Sequence, residues 1–514
     1  MASSYLSPGV YMEEVSSGSR PIEAVGTAVA AFVGFAERGP LHEPVLVTNW
    51  TQFKQTFGDF VEDYYLAHAV YGYFQNGGGV AYVVRVGGAS GNGSGNGHAG
   101  GGVLPHAELP AAGHEGRPAL SIAARAADAG DLTVEVAPAS EQGDDTFKLI
   151  VKQNGQPVET FDNVTTKRGP NHVTTVVRQQ SKLIVIEETK GKALALPRAG
   201  EVALAAPPPA PEVIESRDYV GNSADRTGFG GLEAIDEVTM LCVPDLMAAY
   251  QKGALSEEDV KAVQLAMIAH CELMADRVAV LDTPPGLKAE DVKKWRMDVT
   301  GYDSKYAAMY WPWIKVADPV AGKQVFVPPS GHIAGIWARN DSSRGVHKAP
   351  ANEVIRGAVT LELNITKGEH DILNPIAVNC IRSFRGQGIR VWGARTLSSD
   401  PEWRYLNVRR LFNYVEKSIL QGTNWVVFEP NDPKLWDSVK RTVTMFLRRV
   451  WRDGALFGQT PAEAFFVKCD EENNPAENRD AGILTVEIGI SPVKPAEFVV
   501  FRISQFAEGA GLEE

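Results

Sequence analysis

The stretch Pro433–Arg452, PKLWDSVKRTVTMFLRRVWR, carries two patterns that only a helix satisfies together. At about 100° per residue, Trp436, Val439, Val443, Phe446, Leu447 and Val450 gather on one side. Lys434, Arg441, Arg448 and Arg452 fall on the other, within a stripe roughly 40° wide. Such a segment needs a core under one face and leaves the other cationic. It holds six Lys/Arg against one Asp, in a chain whose formal net charge is −13. A basic helix face commonly meets only water. In so acidic a chain, this local excess suggests an acidic partner surface. Just upstream, residues 425–428 read as a strand, and Asp400-Pro401 reads as a helix start. Residues 374–397 read as buried strands turning at glycines.

With 514 residues the chain exceeds one simple core, and roughly two to four domains are expected. An apolar fraction of 44% and a charged fraction of 22% belong to a globular protein. No window has the apolar length to cross a bilayer, so stable membrane insertion is not expected. The opening MASSYLSPGV lacks the basic-then-apolar order of a secretory signal, which implies assembly in the cytoplasm. Cys242, Cys271, Cys380 and Cys469 show neither zinc nor redox spacing. The negative balance disfavours nucleic acid as a partner.

The fold class expected is mixed α/β, in several domains. Residues 27–35 and 80–86 read as buried strands, with helical patterns at 50–57 and 64–74 between them. Residues 87–102 (GGASGNGSGNGHAGGG) have linker composition and match no dinucleotide loop. Short β-like runs follow at 132–136, 147–152, 173–177 and 183–187, with a hairpin turn at Asn154-Gly155. The stiff LAAPPPAP at 204–211 closes this segment. A β–α–β unit is expected from 238 to 281, its helix capped by Ser256. Strand candidates follow at 306–316 and 354–363, with a helix at 330–340 capped by Ser330. The domain expectation is an N-terminal arm over 1–22 and a core from 23–86 with 217–370. An inserted β-rich domain occupies 87–216, a C-terminal domain 371–494 and a C-terminal arm 495–514.

No catalytic constellation emerges. His270 and Cys271 are neighbours on a helix and do not face each other. Asp282, at a strand end, stands where α/β enzymes place ligands, but no Ser or His motif accompanies it. His332, His347 and His370 show no metal spacing, and no P-loop, HExxH, GxSxG or EF-hand pattern occurs. No catalytic, metal or cofactor residue is expected. The alternative is an α/β enzyme or ligand-binding protein with a β accessory domain.

Several segments resemble contractile tail sheath proteins. They are NPIAVNCIRSFRGQGIRVWGARTL, RYLNVRRLFNYVEKSI and the basic helix, together with YLSPGVYMEEV, GTAVAAFVGFAERGP and PVLVTNWTQFKQTFG near the start. Sheath proteins form the outer sleeve of phage tails, R-type bacteriocins and extracellular contractile injection systems. The resemblance implies a structural, non-enzymatic subunit stacked in hexameric rings around an inner tube. Its partners would be copies of itself, the tube protein, and baseplate and terminal cap proteins. The insert would face outward. Lys434, Arg441, Arg448 and Arg452 would face the tube. Val10, Tyr11, Met12 and Glu13, and the β-forming run Phe498, Val499, Val500, Phe501 and Arg502, would add strands to neighbouring subunits.

Overall fold

The computed structural model describes residues 21–87, 106–111, 118–125, 132–141, 143, 145–153, 155–167, 169–187, 196–204, 215–320 and 322–502. The first described region supplies strands β1 (Val29–Gly34), β2 (Val45–Val47) and β3 (Val80–Arg85), with helices α1 (Trp50–Phe57) and α2 (Leu66–Gln75). Asn49 caps α1 by accepting from the Gln52 amide. The run VAAFVG of β1 is apolar throughout because parallel strands flank it on both sides and both its faces are covered.

Residues 106–204 form a separate β-rich unit with its own core, around Leu120, Val134, Leu149, Phe161 and Val177. Its strands are β4 (His106–Pro110), β5 (Pro118–Ala124), β6 (Leu132–Pro138), β7 (Thr146–Gln153), β8 (Gln156–Thr165), β9 (Ile184–Glu187) and β10 (Gly200–Ala203). They make two antiparallel sheets, ordered β10-β6-β7-β8 and β4-β5-β9. The β7–β8 hairpin turns through Gly155 at φ 78°. Residues 173–177, expected as a strand, open a helix instead, α3 (Val173–Gln180): Val173 and Val177 lie one turn apart and share a buried face. Helical packing there overrides the β preference of VTTVV.

The remainder of the body contributes α4 (Ser216–Val220), β11 (Met240–Cys242), α5 (Asp245–Gln251), α6 (Glu257–Met274), β12 (Val278–Asp282), α7 (Ala289–Lys294) and β13 (Ala307–Trp311). Next come β14 (Ile314–Ala317), β15 (Gln324–Val327), α8 (Ser330–Arg344), β16 (Glu353–Val354), β17 (Ala358–Leu361), α9 (Lys367–Leu373), β18 (Val378–Phe384) and β19 (Gly388–Val391). One nine-stranded sheet runs β16-β19-β18-β13-β12-β11-β1-β3-β2. Residues 23–86 therefore pack in the sheet of the central body. The sheet also takes in β18 and β19. The boundary expected at 370/371 falls inside it, because the glycine-turned strands of that stretch complete the body. Ala30 and Phe32 point into a core shared with α2 and α8; Ala31 and Val33 point into a second core with α5 and α6. β11–α6–β12 is the expected β–α–β unit, and Ser256 and Asp259 cap its helix reciprocally.

Beyond the sheet stand α10 (Leu406–Gly422), α11 (Pro433–Arg452), and the antiparallel pair β20 (Phe465–Lys468) and β21 (Glu487–Ile490). Their core holds Leu411, Val415, Trp436, Val443, Phe446 and Leu447, and also Ile22, which packs against Gly422 rather than belonging to a free arm. Two expectations fail here. Residues 425–428 are no strand: Asn424–Val426 is a 3-10 turn, and Phe428 takes φ 68° with its ring fully exposed. Asp400 starts no helix. Its carboxylate accepts from the Glu402 amide at 2.8 Å and closes a local turn. Tyr405 is then held extended by bridging Arg395, so α10 begins only at Leu406.

Candidate functional site: a cationic helix face and the chain ends

α11 is built as its sequence demands. Asp432 accepts from the Leu435 amide at 2.8 Å, and Pro433 occupies the first turn, where no amide hydrogen is needed. Leu435, Trp436, Val439, Val443, Phe446, Leu447 and Val450 are buried. Lys434, Arg441, Arg448 and Arg452 are all exposed. Among the described residues, none of these four enters an ion pair or side-chain hydrogen bond.

Other arginines of this region are committed to the fold. Arg409 donates to Asn413 at 2.7 Å and to Glu416 at 2.9 Å, with its guanidinium 4.6 Å from the centre of the Trp403 ring. Arg410 grips Asp341 through two nitrogens at 2.9 and 2.6 Å. The contrast isolates the α11 stripe as positive charge without an internal partner. Exposure, which the sequence does not state, separates it from the equally basic LNVRRLF.

The chain ends are less symmetric. Val10, Tyr11, Met12 and Glu13 lie outside the described residues. Phe498, Val499, Val500, Phe501 and Arg502 are described, outside any strand or helix, and all are exposed; the four apolar ones are 74%, 67%, 77% and 84% accessible. A run of four large apolar side chains in water is a surface waiting for a cover.

The residues weighed as enzyme-like serve the fold. Asp282 at the end of β12 accepts the Ser330 amide at 2.9 Å. Ser330 is thus the first residue of α8, whose N-terminus is capped from across the sheet by Asp282 rather than by the Ser330 hydroxyl. Burial pushes the Asp282 carboxyl up to about 7, against the pull of these Ser330 contacts. Asp245, past the end of β11, likewise accepts the amides of Phe35, Tyr65 and Leu66 and so caps α2; burial raises it to about 6. The crevice at these strand ends, where α/β enzymes hold ligands, is filled by the chain's own helix starts.

His270 sits 3.3 Å from the Arg277 guanidinium; burial, then that cation, lowers it to about 4. Cys271 is buried and its thiol raised by that burial. His332 is buried against Gly72 and lowered to about 3 by desolvation first. His347 and His370 are each lowered by burial first. The described residues contain no group of three or more His, Cys, Asp or Glu placed to hold a metal. No described helix is long and apolar enough to cross a membrane.

One feature escaped the sequence. Glu497, just before the exposed run, accepts from Arg395 at 2.9 and 2.6 Å, from Asn374 at 3.0 Å and from Tyr405 at 3.1 Å. A lone Glu in PAEFVVF carries no local sign of partners about 100 residues upstream.

The described residues thus form a layered body with a β-rich unit, a helix whose cationic face has no internal partner, and an exposed apolar run at 498–501. The comparisons with known proteins give the family. Residues 230–397 match the phage tail sheath protein central domain, and residues 398–506 match the phage tail sheath C-terminal domain. The chain belongs to the phage tail sheath protein family, a family of structural rather than catalytic proteins. It is similar to the tail sheath protein of Burkholderia phage BcepMu, 25% identical over 98% of this chain and 97% of that one. It is 29% identical to the tail sheath protein of Salmonella phage ViI over 40% of this chain, and spans about a third (32%) of that relative's length. Among solved structures, its fold matches the sheath complex of the extracellular contractile injection system PVC in its contracted state. There the TM-score is 0.59 and the identity 23%, over 99% of both chains.

Proposed function

We propose that this chain is the repeating subunit of a contractile sheath, polymerised as stacked hexameric rings around an inner tube. The observation that carries the reading is the stripe of Lys434, Arg441, Arg448 and Arg452, exposed and internally unpartnered on a helix whose other face is buried. The partner it fits is a tube with an acidic outer surface. Each exposed ion pair contributes only about 0–1 kcal/mol. Repeated along a tube, such pairs hold an extended state and still release when subunits move outward. The run Phe498–Arg502 and residues Val10–Glu13 would join neighbouring subunits by strand addition. The pair β20–β21, a sheet of only two strands, is a natural acceptor. Connected this way, rigid subunits would pass between extended and contracted packings. The driving free energy would reside in subunit interfaces, and contraction would push the tube through a target envelope. No cofactor and no nucleic acid enters this scheme. Baseplate and terminal cap proteins would bound the sleeve, which would assemble in the cytoplasm and act as part of a phage tail or a released tail-like particle.

The test reverses charge. The variant R441E/R448E/R452E is expected to stay folded, with an unchanged melting temperature, and to lose assembly on tubes of the cognate particle. Wild-type assembly should weaken as salt rises. Unchanged templating by the triple variant would refute the inward-facing assignment.

A further inference from the structure

The exposed run 498–501 does not leave the body at an arbitrary point. Residues just before it are pinned in sequence: the Ser491 amide donates to Ala464, the Val493 amide donates to Ala455, and Asn407 donates to the Val493 carbonyl. The last fixed point is Glu497. Its two oxygens accept four hydrogen bonds, two of them a forked pair from Arg395, and its side chain is 20% accessible. Arg395 is itself immobilised. Its amide donates to Asn379 of β18 at 2.7 Å, its carbonyl accepts from the same side chain at 2.8 Å, and its third guanidinium nitrogen donates to the Asn374 carbonyl at 3.0 Å. Rigidity is thus transmitted from the central sheet through Asn379 and Arg395 to the root of the apolar run. From the next residue on, Phe498 to Arg502, the side chains face water.

We infer that Glu497 is a positioning residue: its clasp on Arg395, Asn374 and Tyr405 fixes where and in which direction Phe498–Phe501 departs, so that this run meets a second copy of the chain already aimed. The chemistry explains why a carboxylate stands there. A forked ion pair restricts orientation as well as distance, which a single apolar contact does not. Fixing the root removes conformations that the run would otherwise lose on pairing, so association is favoured without any new intersubunit contact. The inference rests on the strand-addition reading above and deepens it.

The experiment compares full-length E497A and E497Q, and a chain ending at Glu497, with wild type. Self-assembly is followed by light scattering and negative-stain microscopy, and subunit integrity by thermal unfolding. Spin labels on V500C and L273C, both exposed positions, report the spread of distances between run and body in the unassembled subunit. E497A is expected to broaden that distribution, leave the melting temperature of the body unchanged, and raise the concentration needed for assembly about tenfold or more. E497Q, which keeps an amide oxygen for Asn374 and Arg395, is expected to fall between E497A and wild type. A narrow distribution in E497A, or broadening without any change in assembly, would overturn the clasp. Assembly by the chain ending at Glu497 would instead overturn the strand-addition reading itself, so the two failures are distinguishable.

Discussion

Asp341 shows how single residues tie the two halves of the body. Both its oxygens accept from Arg410, one also accepts the Thr27 hydroxyl at 2.6 Å, and the pair's side chains are only 5% and 4% accessible. The pair links α8 of the sheet layer to α10 beyond it. D341A strands a buried guanidinium and is expected to destabilise the fold by about 3–5 kcal/mol, read by urea unfolding. Asp282 makes a pH prediction. Its carboxyl titrates near 7 in the folded protein against an ordinary 3.8. Between those values the native state holds a proton that the unfolded chain has released, so stability falls as pH rises through that window and levels off above about 7. D282N keeps an acceptor for the Ser330 amide and stays neutral. It is expected to lose less stability than wild type between pH 4 and 8, by on the order of a few kcal/mol. Parallel pH slopes for the two proteins in denaturant titrations would refute the assignment. Neither role was legible from the residues. Asp341 falls one residue past the helix read at 330–340, and Asp282 reads as a strand-end acid with a ligand-site look, because their partners are remote in sequence.

At the scale of elements, α2 and α8 meet through glycines. A methyl group on Gly331 would stand 2.4 Å from the Ala69 Cα and carbonyl oxygen, and one on Gly335 would stand 2.4 Å from the Tyr73 carbonyl oxygen. These are backbone atoms and cannot move aside cheaply. G331A is expected to cost about 1–3 kcal/mol, seen as a lowered unfolding midpoint with the fold retained. Elements set by local rules were legible. The Ser256–Asp259 cap, the apolar run of β1 and the two faces of α11 stand in the sequence as they stand in the fold. Elements decided by context were not. α3 is made helical by burial of Val173 and Val177 against the insert's sheets, and Asp400 spends its carboxylate on a turn. The α11 stripe was readable as a pattern, whereas its freedom from internal partners needed the positions of every nearby acid.

For the whole molecule, the insert has its own core, and the two cores flanking the main sheet contain no described residue between 87 and 214. Replacing residues 88–214 by a flexible linker is expected to leave the body's unfolding transition in place, and residues 106–204 alone are expected to unfold cooperatively. Loss of both transitions would show the units to be interdependent. The glycine-rich stretch at 87–102 and the proline-rich stretch at 204–211 stand in the sequence. The strand order does not, since nothing local announces that Ala30 pairs with Met240 or that β18 lies beside β13.

That pairing has a consequence for how the chain is made. β1 lies between β3, made soon after it, and β11, made only once residues 86–239, 154 in all, have been translated. At roughly 5–20 residues per second, the nascent chain carries an open apolar strand edge for about 8 to 30 s while the insert folds on the ribosome. That interval sets a hazard of premature association between growing chains through the open edge, and a longer insert prolongs it.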